Sequence, residues 1–169
     1  MEQDALYSRA ADAFGPSLRR LAKSYEPDAD LARDLLQDIH LALWRSFATF
    51  EGQCSLRSWV YRVAHNTAIS LRLRQRVRSP KLISLEELAE LPAAHDPEAS
   101  VGRARNLARL GALIRRLRPP DDQVMLLYLE DLDAGAIGEI TGLSPGAVAT
   151  RVHRIKAVLA RQFNEGSEP

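Results

Sequence analysis

Asp133-Ala-Gly-Ala-Ile-Gly-Glu-Ile-Thr-Gly-Leu-Ser-Pro-Gly-Ala-Val-Ala-Thr-Arg-Val-His-Arg-Ile-Lys156 is the stretch whose reading decides the fold. It predicts a short helix, a tight turn and a longer helix with a basic outward face. Asp133 suits the first N-cap, with Ile137 and Ile140 as that helix's buried pair. Gly142 gives the turn its backbone freedom, and Leu143 plugs the angle between the helices. Ser144 caps the second helix and Pro145 takes its first position, where no N–H is missed. Val148, Val152, Ile155 and Leu159 recur on one face. Thr150, Arg151, Arg154 and His153 are left pointing elsewhere. A helix held this way can enter the major groove of DNA. Arg151 and Arg154 are the candidates for base edges or phosphates, since arginine binds guanine bidentately for ~1–3 kcal/mol of discrimination. Thr150 and the backbone near Ser144 suit a phosphate at the helix start.

The rest of the chain sets limits on what accompanies this helix-turn-helix. Its 169 residues, 46% hydrophobic and 27% charged, fit one ordinary soluble domain or two small ones. No apolar run approaches the roughly 20 residues that span a bilayer. Met-Glu-Gln-Asp at the start has neither the basic opening nor the apolar core of a signal peptide. One cysteine, Cys54, excludes an intramolecular disulfide and any Cys-based zinc finger, and a reducing cytoplasm fits. It has no obvious activating neighbour, which argues against a redox role. The net charge of +1 conceals a division. Residues 1–78 carry 12 Lys/Arg against 9 Asp/Glu, and residues 101–169 carry 10 against 8. Between them, residues 79–100 hold Lys81 against five carboxylates. Two mildly basic blocks therefore flank an acidic connector.

Nearly every patterned segment has helical period, so the expected fold is all-α. One helix is expected over about Asp4–Phe14, a break at Gly15-Pro16, and a second helix to about Tyr25. Asp30 is the expected cap of a third helix to about Phe47, with Leu31, Leu35, Ile39, Leu43 and Trp44 as its apolar stripe. A loop at Phe50–Ser55 leads to a long helix towards Arg78. These four helices form a first domain, residues 1–78. Residues 79–100 read as a flexible linker in which Ser84-Leu-Glu-Glu87 can form a capping box. Residues 101–169 form a second helical domain, with one helix from Pro97 to Arg118, another over Asp121–Leu132, and then the helix-turn-helix.

Taken in order, these features resemble an extracytoplasmic-function (group IV) bacterial RNA polymerase sigma factor of the sigma-70 superfamily. Asp34-Leu-Leu-Gln-Asp-Ile-His-Leu-Ala-Leu-Trp44 resembles the family's core-polymerase-binding helix. Phe50-Glu-Gly-Gln-Cys-Ser-Leu-Arg-Ser-Trp-Val-Tyr-Arg-Val-Ala-His-Asn66 resembles its −10 loop and helix, and Ile137–Arg154 its −35 reader. The resemblance implies a region 2-like domain, a region 4-like domain and directed initiation at promoters. Asp34, Leu35, Gln37 and Asp38 would bind core polymerase, at the β′ clamp, with the β subunit also a partner. Phe50, Gly52, Trp59, Tyr61, Arg62 and Asn66 would handle the −10 element, where a flipped base needs a pocket with apolar walls and polar edges. Ser144, Thr150, Arg151 and Arg154 would handle the −35 element. Ala147 and Ala149 depart from the family's usual threonine and basic residue, which puts the −35 sequence in question. Family members are often held by an anti-sigma factor, a further partner to expect.

Each residue also has a plainer reading. Asp34, Gln37 and Asp38 fit a solvated helix face, Phe50 and Trp59 fit packing, and Gly52 fits a turn. Arg72, Arg74, Arg76 and Arg78 suit either phosphate or the dipole at a helix C-terminus. No cofactor is implied: His40, His65, His95 and His153 lack metal-ligand spacing, and no glycine loop cradles phosphate. An enzyme reading therefore fails. The rivals are a stand-alone helix-turn-helix regulator and a helical adaptor without DNA binding. Poor affinity for free DNA, made good by polymerase holding both readers on one template, separates the first rival from the sigma-factor expectation.

Overall fold

The computed structural model describes residues 2–75, 81–92 and 102–164. The described elements are α1 (Glu2–Tyr25), α2 (Ala29–Ser46), a 3₁₀ turn (Phe47–Thr49), α3 (Leu56–Arg74), α4 (Leu85–Glu90), α5 (Arg103–Arg116), α6 (Asp121–Leu129), α7 (Ala134–Thr141) and α8 (Pro145–Asn164). The fold is all-α, as its periodicity predicts. The chain forms two compact units, residues 1–79 with 135–142 and residues 80–134 with 143–169.

In the first unit, α1, α2 and α3 pack on one another. Their core holds Leu18, Leu21, Leu35, Ile39, Leu43, Phe47, Val60 and Ala64, all nearly inaccessible to solvent. The expected break at Gly15-Pro16 does not occur, because α1 runs through Pro16. An interior proline removes one helical hydrogen bond and strains the preceding turn, at roughly 3 kcal/mol. Burial of Ala10, Gly15, Leu18, Leu21 and Ala22 along the same helix offsets that cost. Asp28, not Asp30, caps α2: its carboxylate accepts from the N–H groups of Asp30 and Leu31 at 2.9 and 3.0 Å. Trp44 leaves the expected stripe. It is 40% exposed, with its indole N–H on the Asp4 carboxylate at 2.9 Å. Ser55 caps α3. Arg76 and Arg78 lie outside the described residues.

In the second unit, α8 packs on α6 and α4, and α5 packs on α6. Its core includes Ile114, Leu117, Val124, Leu127, Val148, Ile155 and Leu159. Residues 81–92, within the expected linker, are folded. Ser84 and Glu87 form the full capping box of α4, and Ile83, Leu85 and Leu88 are buried. Ile83 also makes a short parallel bridge with Leu117. Its N–H donates to Arg116 O at 2.8 Å, and its carbonyl accepts from Arg118 N–H at 3.0 Å. The buried Gln162 side chain donates to the carbonyls of Leu88 and Leu91 at 3.0 and 2.9 Å. Residues 81–92 are therefore part of the second unit. The helix expected to start at Pro97 is described only from Arg103, and α6 stops at Leu129.

Candidate functional site

The first candidate surface is the outer face of α2. Asp34, Gln37 and Asp38 are exposed there, at the i, i+3 and i+4 spacing that puts them on one face. Leu41 continues that face and is 47% exposed. An apolar side chain beside carboxylates and an amide gives the face both a contact surface and charge-assisted hydrogen-bonding groups. Leu35, expected both in the apolar stripe and at the polymerase contact, is 1% exposed, which fits the stripe and not the contact. It belongs to the unit's own core and can only position its neighbours. Leu41 escaped the sequence reading, although its signal was present: it falls outside the stripe of Leu35, Ile39 and Leu43.

Between α2 and α3 lies an open groove of about 450 Å³, lined in part by Asp38, Leu41, Arg45, Asn66, Thr67 and Arg74. Asn66 is exposed on α3, so its amide can reach a hydrogen-bonding edge. The loop before α3 is built on an aromatic chain. Phe50 sits edge-on to Phe47, with centroids 6.1 Å apart, and 5.1 Å from Trp59. The Trp59 indole donates to Ser46 Oγ at 3.0 Å, so this ring is engaged in packing. Gly52 has φ +79° and open space where a Cβ would project, a conformation that favours glycine. Tyr61 corrects the expectation of a stacking ring: it is 2% exposed and lies edge-on to Phe14. Arg62 is half-buried and donates to the backbone carbonyl of Glu139 within the same unit.

Behind this surface, His65 is fully buried in α3. Its Nδ1 lies 2.8 Å from the Tyr25 hydroxyl, and Nε2 has no partner among the described residues. Burial pushes its pKa down to about 3, so the ring is neutral. The guanidinium of Arg72 stands over the Tyr25 ring at 5.5 Å. Cys54 is half-buried.

The third surface is α8. Ser144 Oγ accepts from Ala147 N–H at 3.1 Å, and its carbonyl accepts from Val148 N–H at 3.0 Å, as the cap prediction requires. Gly142 has φ +81°, the left-handed turn conformation expected of it. Val148, Ile155 and Leu159 are buried, while Thr150 and Arg154 are exposed. The Thr150 hydroxyl bonds back to Gly146 O at 3.0 Å. Neither arginine stands alone. Arg151 pairs with Asp121 at 2.6 Å, and Arg154 with Glu86 at 2.8 Å. Asp121 is 17% exposed, so its pair is partly shielded. The Glu86 pair is open to solvent, with side chains 55% and 69% exposed. A hydrogen bond from the Glu86 backbone and another from Arg154 hold the Glu86 carboxyl below the usual range. Periodicity could not reveal these partners, because they lie 30 and 68 residues away in the chain.

Comparison with known proteins identifies the family of the chain. Residues 10–78 match sigma-70 region 2, and residues 107–159 match sigma-70 region 4. The chain is 31% identical over 156 residues to the RNA polymerase sigma factor CarQ of Myxococcus xanthus, covering 90% of this chain and 85% of CarQ. It is 28% identical over 140 residues to the RNA polymerase sigma factor YlaC of Bacillus subtilis, covering 82% and 81% of the two chains. Its fold is similar to CnrH in a solved structure of CnrH with the cytosolic domain of CnrY, with TM-score 0.68, 20% identity, and coverage of 95% and 89%. The chain belongs to the extracytoplasmic-function sigma factors of the sigma-70 family, the subunits that direct RNA polymerase to promoters.

Proposed function

We propose that this sigma factor docks on the β′ clamp of core RNA polymerase through the exposed α2 face of Asp34, Gln37, Asp38 and Leu41. The −10 element is met by the Phe50–Ser55 loop and Asn66, with the Phe50–Trp59 pair as an apolar wall. The −35 element is read by α8, with Ser144 and Thr150 near phosphate and Arg154 as the base-reading arginine. Arg151 holds α8 to α6 through Asp121 and contributes less to reading. Residues 1–78 bear the first two of these roles and residues 101–169 the third, with the docked residues 81–92 belonging to the second unit. The role is non-enzymatic: the chain binds and positions DNA while polymerase does the chemistry. It works in the bacterial cytoplasm, and an anti-sigma partner restrains it by covering the same surfaces.

The observation that carries this reading is the α2 face, where acidic and amide groups flank an exposed leucine opposite a fully buried stripe. A free-standing DNA binder has no use for such a face. Transcription in vitro tests the proposal, using core enzyme with and without the chain on genomic fragments. Initiation at new, discrete start sites is expected only when the chain is present. Start sites identical to those of core enzyme alone would overturn it.

A further inference from the structure

We propose that Glu86 is a positioning residue for DNA discrimination: the docked α4 helix holds its carboxylate on Arg154, where it competes with phosphate. The inference rests on the reading that Arg154 faces DNA, and it adds a device that sets which DNA the arginine accepts. The observation behind it is the anchoring of α4. Burial of Ile83, Leu85 and Leu88, the paired backbone hydrogen bonds of Ile83 with the end of α5, and the two carbonyls held by Gln162 of α8 fix this short helix in place. Glu87 is already used, its carboxylate closing the capping box at 2.7 Å from Ser84 N and lying 3.6 Å from Arg118. Glu86 is the neighbouring carboxylate, and α4 delivers it to Arg154 at 2.8 Å.

The difference between the two arginine pairs gives the device its character. An ion pair in open water contributes little and is readily exchanged, so Glu86 can be displaced. A lone DNA phosphate offers Arg154 about what the carboxylate already gives, and the exchange gains little. A guanine edge at the matching position adds a bidentate geometry and orients the helix. The carboxylate therefore suppresses indiscriminate binding more than specific reading, the negative element that specificity often requires. The partly shielded Arg151–Asp121 pair stays in place as scaffold.

The test uses the full chain and fluorescence anisotropy of a short labelled duplex of mixed sequence across a salt series. Glu86→Gln is expected to tighten binding about two- to fivefold at low salt and to steepen the log–log salt slope by about one phosphate contact. Glu90→Gln makes the same charge change on the same helix and is expected to give less than half that gain. In an Arg154→Ala background the Glu86→Gln gain is expected to vanish. Unchanged affinity and slope for Glu86→Gln, an equal gain for Glu90→Gln, or a gain that persists without Arg154 each overturns the inference while leaving the DNA-facing role of α8 intact. Arg154→Ala without effect on either duplex binding or promoter-directed initiation overturns that role, and this inference with it.

Discussion

The outer face of α2 and the outward face of α8 are built to opposite plans. On α2, Asp34, Gln37 and Asp38 stand exposed beside Leu41. On α8, Arg151 and Arg154 already rest on Asp121 and Glu86. On the proposed roles, binding at α2 would displace mainly water, whereas reading by Arg154 would require an exchange of partners. The contrast teaches that polymerase docking can be strong in the free chain while DNA reading stays weak until both units are held along one template.

The largest expected effect sharpens the α2 side by separating scaffold from contact. Leu35→Ala should destabilise the first unit by about 2–5 kcal/mol in urea unfolding, since it empties a fully buried position. Next, Asp34→Arg with Asp38→Arg should weaken association with core polymerase at least about tenfold while leaving unfolding nearly unchanged, because opposed charges at an interface are costly. Normal assembly of that double variant would break the comparison at its first term. On the α8 side, Ser144→Ala should cost about 1 kcal/mol of second-unit stability through loss of the cap. It should also lower initiation from promoters that depend on the upstream element.

A pH-graded effect, absent at neutral pH and growing only in acid, belongs to His65. Its folded pKa is depressed to about 3 against an ordinary value of 6.5. The unfolded chain therefore takes up a proton first, and the histidine's contribution is complete above about pH 6.5. It is lost as pH falls from there towards 3, with a slope approaching about 1.4 kcal/mol per pH unit. His65→Leu should flatten that acid limb in denaturant titrations. An unchanged limb would remove the histidine from the account.

Local chemistry made much of this legible in the sequence. Gly142, Ser144 and Pro145 punctuate the chain by their own backbone preferences, and Ser84 with Glu87 announces a helix start within four residues. The stripe of Leu35, Ile39 and Leu43 follows from helical period alone. What stayed hidden depends on distant neighbours. Pro16 is carried inside α1 by packing against two other helices, which outweighs its local penalty. Tyr61 is buried by that same packing, and Trp44 is turned outward to Asp4. The docking of α4 was concealed by an acidic, proline-flanked composition that reads as a tether. Its backbone partners lie far along the chain: Gln162 holds the carbonyls of Leu88 and Leu91, and Arg118 N–H that of Ile83.

Permanganate and nuclease footprinting of one promoter identified by transcription tests the central claim most directly. It compares the free chain, core enzyme with the chain, and core enzyme with the Arg154→Glu form. The account predicts no protection by the free chain at physiological salt. With core enzyme it predicts upstream protection together with melting near the start site, and Arg154→Glu should lose the upstream protection first. Strong protection by the free chain, or melting by core enzyme that does not depend on the chain, would contradict it.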